Sequence, residues 1–234
     1  MTYASPAMDF RTTKSGRNPG VLTAGGVALA LGALGVAVTS VLYALTPPAA
    51  ALPAYPLDQA LAGARTGART LFWAGTVGIF SDIVMAVGTF LVALELVRRE
   101  RAVAAGGWIA MLLSILVFTL VDAIGGYVLA PLAEMNDGAG AFAGFKRLFD
   151  VLFLLGTVAF GGGAIVALAD EMRTTVPIVR RSLAVIGALV GLAGMVAAAG
   201  CFIGLSFGQG VGISIGLGSV LFVAVGAQLV LKPQ

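Results

Sequence analysis

The chain has 234 residues, of which 59% are hydrophobic and only 11% charged, with a net charge of +3, a pI near 9.4 and a mean hydropathy of +1.02. A soluble domain carries about a quarter charged residues, so too few are present here to coat a water-facing surface, and the surface must face lipid. The basic balance does not point to nucleic acid, because Lys and Arg sit in short clusters between apolar runs without a basic patch interleaved with stacking aromatics.

Residues 1–19 are polar, interrupted by Pro6, Gly16 and Pro19, and read as a flexible cytoplasmic tail carrying Arg11, Lys14 and Arg17. The apolar run from Val21 to Leu45 exceeds the roughly 7–15 residues of a signal-peptide core and reaches the ~20 needed to cross a bilayer. It is span 1. Pro47, Pro48, Pro53 and Pro56 stop it and make a stiff outer loop. Leu57 to Thr70 reads as a short interfacial helix on the outer membrane surface, with Arg65 and Arg69 on one face and Leu57, Leu61 and Ala64 on another. Span 2 covers Leu71 to Val97 and ends at Arg98, Arg99 and Arg101; span 3 covers Val103 to Leu132. Glu134 to Phe145 reads as a polar loop, Phe149 to Leu168 as span 4, and Asp170 to Arg181 as a charged connection containing Pro177. Span 5 covers Ser182 to Phe207 and span 6 Val211 to Leu231, joined by a tight Gly-rich turn that makes them antiparallel neighbours.

The pattern predicts an all-α polytopic bundle, a single six-helix transmembrane domain over residues 20–232. Orientation follows from the Lys/Arg bias. With both termini cytoplasmic, the inside carries ten basic residues and the outside four, namely Arg65, Arg69, Lys146 and Arg147. The Ala- and Gly-rich, Lys-poor usage points to a high-GC bacterium, hence to a multi-pass protein of the bacterial inner membrane. Gly-Thr-Val recurs at Gly75 and Gly156, and Val-Ala-Leu at Val92 and Val166, but the offsets differ, as those of a duplication would not.

Acids inside spans come first among candidate functional residues, because an ionised carboxylate in hydrocarbon costs several kcal/mol. Asp82 lies about eleven residues into span 2 and Asp122 about nine from the outer end of span 3, so both sit roughly 14–17 Å below the outer surface. Spans 2 and 3 are joined by a short inner loop, which lets the two carboxyls face one interior. Ser81, Thr119 and Tyr127 accompany them, and Lys146, Arg147 and Asp150 guard the outer end of span 4. Together these residues outline a polar pocket opening outward between spans 2, 3 and 4, with Arg65, Arg69, Lys146 and Arg147 as its basic rim. Two close carboxyls cannot easily both ionise, which would make the site answer to protons or cations. The structural reading stands beside it: each Asp can hydrogen-bond Ser, Thr or Tyr and lock helix packing, or pair with Arg147 reaching inward. Glu95 reads as a surface partner of Arg98 and Arg99, and Asp170, Glu171 and Arg173 as a solvated inner boundary.

Gly200, Gly204, Gly208, Gly212 and Gly216 recur at every fourth position, with Gly187 and Gly191 as a further pair. Such rows let helices approach closely, either within the bundle or against a second copy or a partner in a membrane complex. Three consecutive glycines, Gly161 to Gly163, indicate a kink, a close helix contact or a hinge. The sole cysteine, Cys201, reads as a small buried hydrophobe.

Histidine is absent from the sequence, which removes His-ligated haem, most zinc sites and His-based acid–base catalysis. No lysine lies inside a span to form a Schiff base, no cysteine pair is available for redox chemistry, and no Gly-rich stretch ends in the Lys-Ser/Thr that holds phosphates. No enzyme activity, cofactor or metal is therefore expected, and the partners expected are membrane lipid and other membrane helices.

The layout resembles a group of uncharacterised bacterial multi-pass membrane proteins that share a domain of unknown function. The resembling features are a first span followed by a Pro-containing outer loop, Phe80-Ser81-Asp82-Ile83 in span 2, and Pro177-Ile178-Val179 before the Gly187, Gly191 and Gly194 run. They extend over residues 20–205. The resemblance implies a similar helical bundle and supplies no activity. Two functions are expected from the residues: a transporter-like or ligand- or proton-sensing protein with an outward-facing polar cavity, or a non-catalytic accessory or assembly subunit. A lipid-modifying enzyme would have to use the outer cluster of Arg65, Arg69, Lys146, Arg147 and Asp150.

Overall fold

A computed structural model describes residues 19–46 and 56–231. All but the last residue of the expected tail, Pro47, Pro48 and Pro53 of the first loop, and Lys232 lie outside the described residues. Seven helices run through the described residues, with no strand: α1 (Pro19–Ala44), α2 (Leu57–Thr66), α3 (Ala68–Arg98), α4 (Ala102–Glu134), α5 (Ala139–Arg173), α6 (Arg181–Phe202) and α7 (Gly208–Leu231). All except the ten-residue α2 are long and apolar enough to cross a membrane. The chain is a multi-pass membrane protein by that measure.

These segments are apolar around the whole helix, because one face meets lipid and the other meets protein. On α1 the outward stripe is Leu31, Leu34, Val38 and Val41; on α3 it is Phe80, Ile83, Val87 and Phe90. Both follow the three- and four-residue spacing of one helix face. Leu22, Leu29 and Ala33, on another face of α1, are fully buried.

The spanning helices form a closed up-and-down ring. Each packs against the next, and α1 closes the ring against α7. Glycines set three of the seams. A side chain on Gly26 of α1 would collide with the carbonyl of Gly226 on α7, and Gly107 of α4 meets Gly163 of α5 in the same way. Gly161 of α5 meets Gly191 of α6. The three consecutive glycines in α5 therefore serve close contact on two sides. Positions 161 and 163 point about 200° apart around the helix, one toward α6 and the other toward α4, and α5 runs unbroken through them. The four-residue glycine row is divided differently: Gly204 has φ +85° in the α6–α7 turn, while a side chain on Gly212 or Gly216 would meet nothing within 4 Å.

Several helix ends differ from the sequence reading. Residues 139–145 are the first two turns of α5 rather than loop, and the connection from α4 shrinks to residues 135–138. Phe142 pins this start, fully buried against a cluster that includes Ala60, Ala64, Leu129 and Ala133. At its other end α5 continues to Arg173, because its charges are partnered rather than solvated. Arg101 pairs with Asp170 and, at 3.0 Å, with Glu171. Glu171 is fully buried and accepts the backbone N–H groups of Ile178 (2.8 Å) and Val179 (3.2 Å). Gln228 of α7 accepts from the Arg180 N–H and donates to the Ile178 carbonyl, both at 2.8 Å. One buried network thus ties α4, α5, the α5–α6 linker and α7 at the end of the bundle that holds both ends of the described chain. Glu95 is likewise buried, at 2% exposure, and paired with Arg99 at 2.9 Å, not a surface residue. α6 stops at Phe202, and Cys201 there is partly exposed. The stretch read as a single helix to Thr70 breaks at Gly67, after which α3 begins.

Candidate functional site

Asp82 stands near the middle of the 31-residue α3, about 21 Å from Ala68 at 1.5 Å per residue. Asp122 stands on α4 just before the helix widens into a π turn at Gly125–Leu129. Both side chains are buried, at 3% and 7% exposure, and they interact directly. Thr119, one turn before Asp122, lies beside the Asp82 carboxyl while its hydroxyl donates to the Ile115 carbonyl at 3.1 Å. Asp122 Oδ1 accepts a 2.9 Å hydrogen bond from the Tyr43 hydroxyl of α1. Asp82 Oδ2 is buried without a hydrogen-bond donor, and so is Thr39 Oγ1 one turn before Tyr43.

The local sequence explains why these groups can meet. A side chain on Gly78 would occupy the space of the Asp122 carboxyl. A side chain on Gly125 would strike the Tyr43 hydroxyl. π turns are rare in helices and recur at functional sites; this one follows Asp122 directly and carries Gly125 and Gly126 on its buried side.

The pair faces a cavity of about 700 Å³ lined by residues of all six spanning helices. Its walls are mostly apolar. An aromatic series runs along them: Tyr43 meets Phe149 edge-on (6.1 Å between ring centres), Phe149 stacks with Phe153 (6.3 Å), and Phe118 links Phe153 to Phe160. Phe160 then meets Phe222 at 5.4 Å. Among the described lining residues, Asp82 and Asp122 are the acids, and no Lys or Arg is present. Toward the α2 end of the bundle the lining includes exposed residues, Ala44, Ser206 and Gln209. Toward the opposite end it stops at a packed cluster containing Trp108, Leu168 and Leu221.

The structure brings together Asp82, Asp122 and Thr119, and separates the other residues of the expected pocket. Ser81 is turned toward α1, its hydroxyl donating to the Val77 carbonyl (2.6 Å) and packing at Gly35. Tyr127 lies on the outer surface, half exposed, hydrogen-bonded to Thr76 at 2.9 Å and edge-on to Phe72. Asp150 is buried and engaged at 2.5 Å by Lys146, which also sits over the Phe149 ring. Of the expected basic rim, Lys146 is therefore buried within α5, Arg65 donates to the Ala133 carbonyl (2.7 Å), and Arg69 and Arg147 are exposed. Arg147 does not reach either aspartate of the pair.

The pocket also sits elsewhere than between the second, third and fourth spans alone. It occupies the centre of the ring, and α1 supplies three of its polar groups, Thr39, Ser40 and Tyr43. A sequence signal for them exists: Thr39, Ser40 and Tyr43 fall within five residues, a polar face on an otherwise apolar span. Searches against family models, curated proteins and solved structures each find no match to this chain. The functional reading therefore rests on the geometry.

Proposed function

We propose that this is a small transporter-like or ligand-sensing protein of the bacterial inner membrane, in which the Asp82–Asp122 pair receives a proton or a cationic ligand entering from outside. One observation carries the reading: a cavity bordered by every spanning helix contains two facing carboxyls and, among its described lining, no basic group to neutralise them. A purely structural aspartate would be expected to have its oxygens satisfied, because an unpaired buried polar atom is costly. Asp82 Oδ2 is not satisfied. The outward direction is supported by the ten-to-four distribution of Lys and Arg, which favours a cytoplasmic location for both termini. It then places the exposed rim of Ala44, Ser206 and Gln209 on the outer side, with α2 as an interfacial helix beside it.

The second reading, an accessory subunit, is favoured by Gly216 on α7, which lies outside the cavity lining and where a side chain would meet nothing within 4 Å. A membrane partner or a second copy would pack there.

Ion flux in proteoliposomes across a pH series separates the two. A pH-dependent flux in the wild type that Asp82→Asn and Asp122→Asn each abolish is the expected result. An inert wild type, together with both variants melting at lower temperature, would make the pair structural and turn attention to partners.

A further inference from the structure

We propose that the ligand of the central cavity is a protonated amine with an apolar, ring-containing body: the ammonium N–H groups bind at Asp82 and Thr39, and the body lies along the phenylalanine wall. The inference deepens the transporter or sensor reading and rests on it.

Four features of the cavity select this chemistry. Size comes first. About 700 Å³ lies within the ~300–1,000 Å³ of sites that bury drug-sized molecules, far more than a bare inorganic cation fills. Wall chemistry is second: Phe118, Phe149, Phe153, Phe160 and Phe222 offer ring faces and edges, which hold apolar bodies and organic cations but do not coordinate metal ions. Charge is third. The acids facing the space are Asp82 and Asp122, the third titratable group is the Tyr43 hydroxyl, and no Lys or Arg belongs to the described lining, so an anion finds no partner. The fourth feature separates a protonated amine from a quaternary one. Asp82 and Thr39 both line the cavity, and Asp82 Oδ2 and Thr39 Oγ1 are buried without a hydrogen-bond partner. Asp82 Oδ2 requires a donor, and a primary ammonium carries three; a trimethylammonium carries none. Asp122 differs from Asp82 in that its Oδ1 already accepts from the Tyr43 hydroxyl.

The full chain, purified in detergent micelles, tests this with three probes of shared ring system: 1-naphthylmethylamine, its N,N,N-trimethylammonium derivative and 1-naphthylacetate. Equilibrium dialysis against empty micelles gives the affinities. The amine is expected to bind about tenfold or more tighter than the trimethylammonium probe, a difference of about 1.4 kcal/mol, and the carboxylate not to bind above the micelle background. Asp82→Asn should weaken the amine by about tenfold or more and narrow its advantage over the trimethylammonium probe. Thr39→Val, which keeps the shape of the side chain, should do the same to a smaller extent and serves if Asp82→Asn fails to fold. Gly162→Ala, at a position outside the lining whose added Cβ would meet nothing within 4 Å, should bind as wild type.

Equal binding of all three probes, or amine binding unchanged in both variants, would overturn the proposal, as would no amine binding at all. A pH-dependent flux that still requires Asp82 in the absence of amine binding would defeat this inference alone. Loss of both flux and binding in the wild type would defeat the underlying reading as well.

Discussion

Around Asp122 the constraints are matters of single atoms. The Tyr43 hydroxyl of α1 donates to Asp122 Oδ1 of α4 across the interior of the ring. Tyr43→Phe removes that bond and leaves the ring in its edge contact with Phe149, so unfolding in detergent should show a loss of about 1 kcal/mol, with flux or ligand binding affected more than stability. Two glycines of α3 make a sharper comparison. A Cβ at Gly78 would meet only the end of the Asp122 side chain, which can swing aside, whereas a Cβ at Gly75 would meet the Asp122 carbonyl and the Gly126 backbone, which cannot. Gly78→Ala should therefore fold nearly as well as wild type but lose the function of the pair. Gly75→Ala should be destabilised by about 1–3 kcal/mol through overpacking. A thermal melt beside the flux assay distinguishes them, and equal melting temperatures would contradict the packing described.

At the scale of elements, α5 organises the bundle. Its consecutive glycines look alike in sequence and differ in surroundings: Gly161 meets α6, Gly163 meets α4, and a Cβ at Gly162 would meet nothing within 4 Å. Gly162→Ala should be neutral or slightly stabilising, since Ala is favoured over Gly in a helix by up to about 1 kcal/mol, whereas Gly163→Val should force α4 and α5 apart and lower the melting temperature clearly. At the far end of α5, Glu171 holds the linker into α6 through Ile178 and Val179 while Arg101 approaches it from α4. Glu171→Ala strands these partners, and about 3 kcal/mol of stability should be lost. The sequence reading treated Glu171 as solvated because an acid beside Asp170 and Arg173 at a span boundary ordinarily is. Its burial depends on Arg101, 70 positions earlier in the chain, which no local pattern connects to it.

For the whole molecule, ring closure and orientation are the matters at stake. The α1–α7 seam, with Gly26 against Gly226, joins the two ends of the described chain and turns a row of antiparallel helices into an enclosure. Orientation can be read chemically, because Cys201 is the sole cysteine and is replaceable by Ala. In that background, Asp137→Cys at the α4–α5 turn should react with a membrane-impermeant maleimide in intact cells. Glu100→Cys at the α3–α4 turn should react only after permeabilisation. The reverse pattern would put the cavity rim on the cytoplasmic side and remove the outward direction from the proposed function.

How much of this was legible without coordinates follows from the range of the forces involved. The apolar composition and the ~20-residue runs were enough for six spanning helices, since hydrocarbon demands that each segment satisfy its own backbone, a local requirement that leaves a local pattern. The same argument singled out Asp82 and Asp122, because a carboxyl is conspicuous where every neighbour is apolar. Which side chains join them was not written locally. Tyr127 and Ser81 lie near the pair in sequence yet point to the outer surface and to α1, while Tyr43, 79 positions before Asp122, completes the site. Sequence by itself determined that there would be helices across a membrane and acids within them. Tertiary structure decided that the helices close into a ring, that α1 contributes to the site, and that a cavity remains at the centre, because these depend on how far each glycine lets its neighbour approach and on which face each helix turns inward.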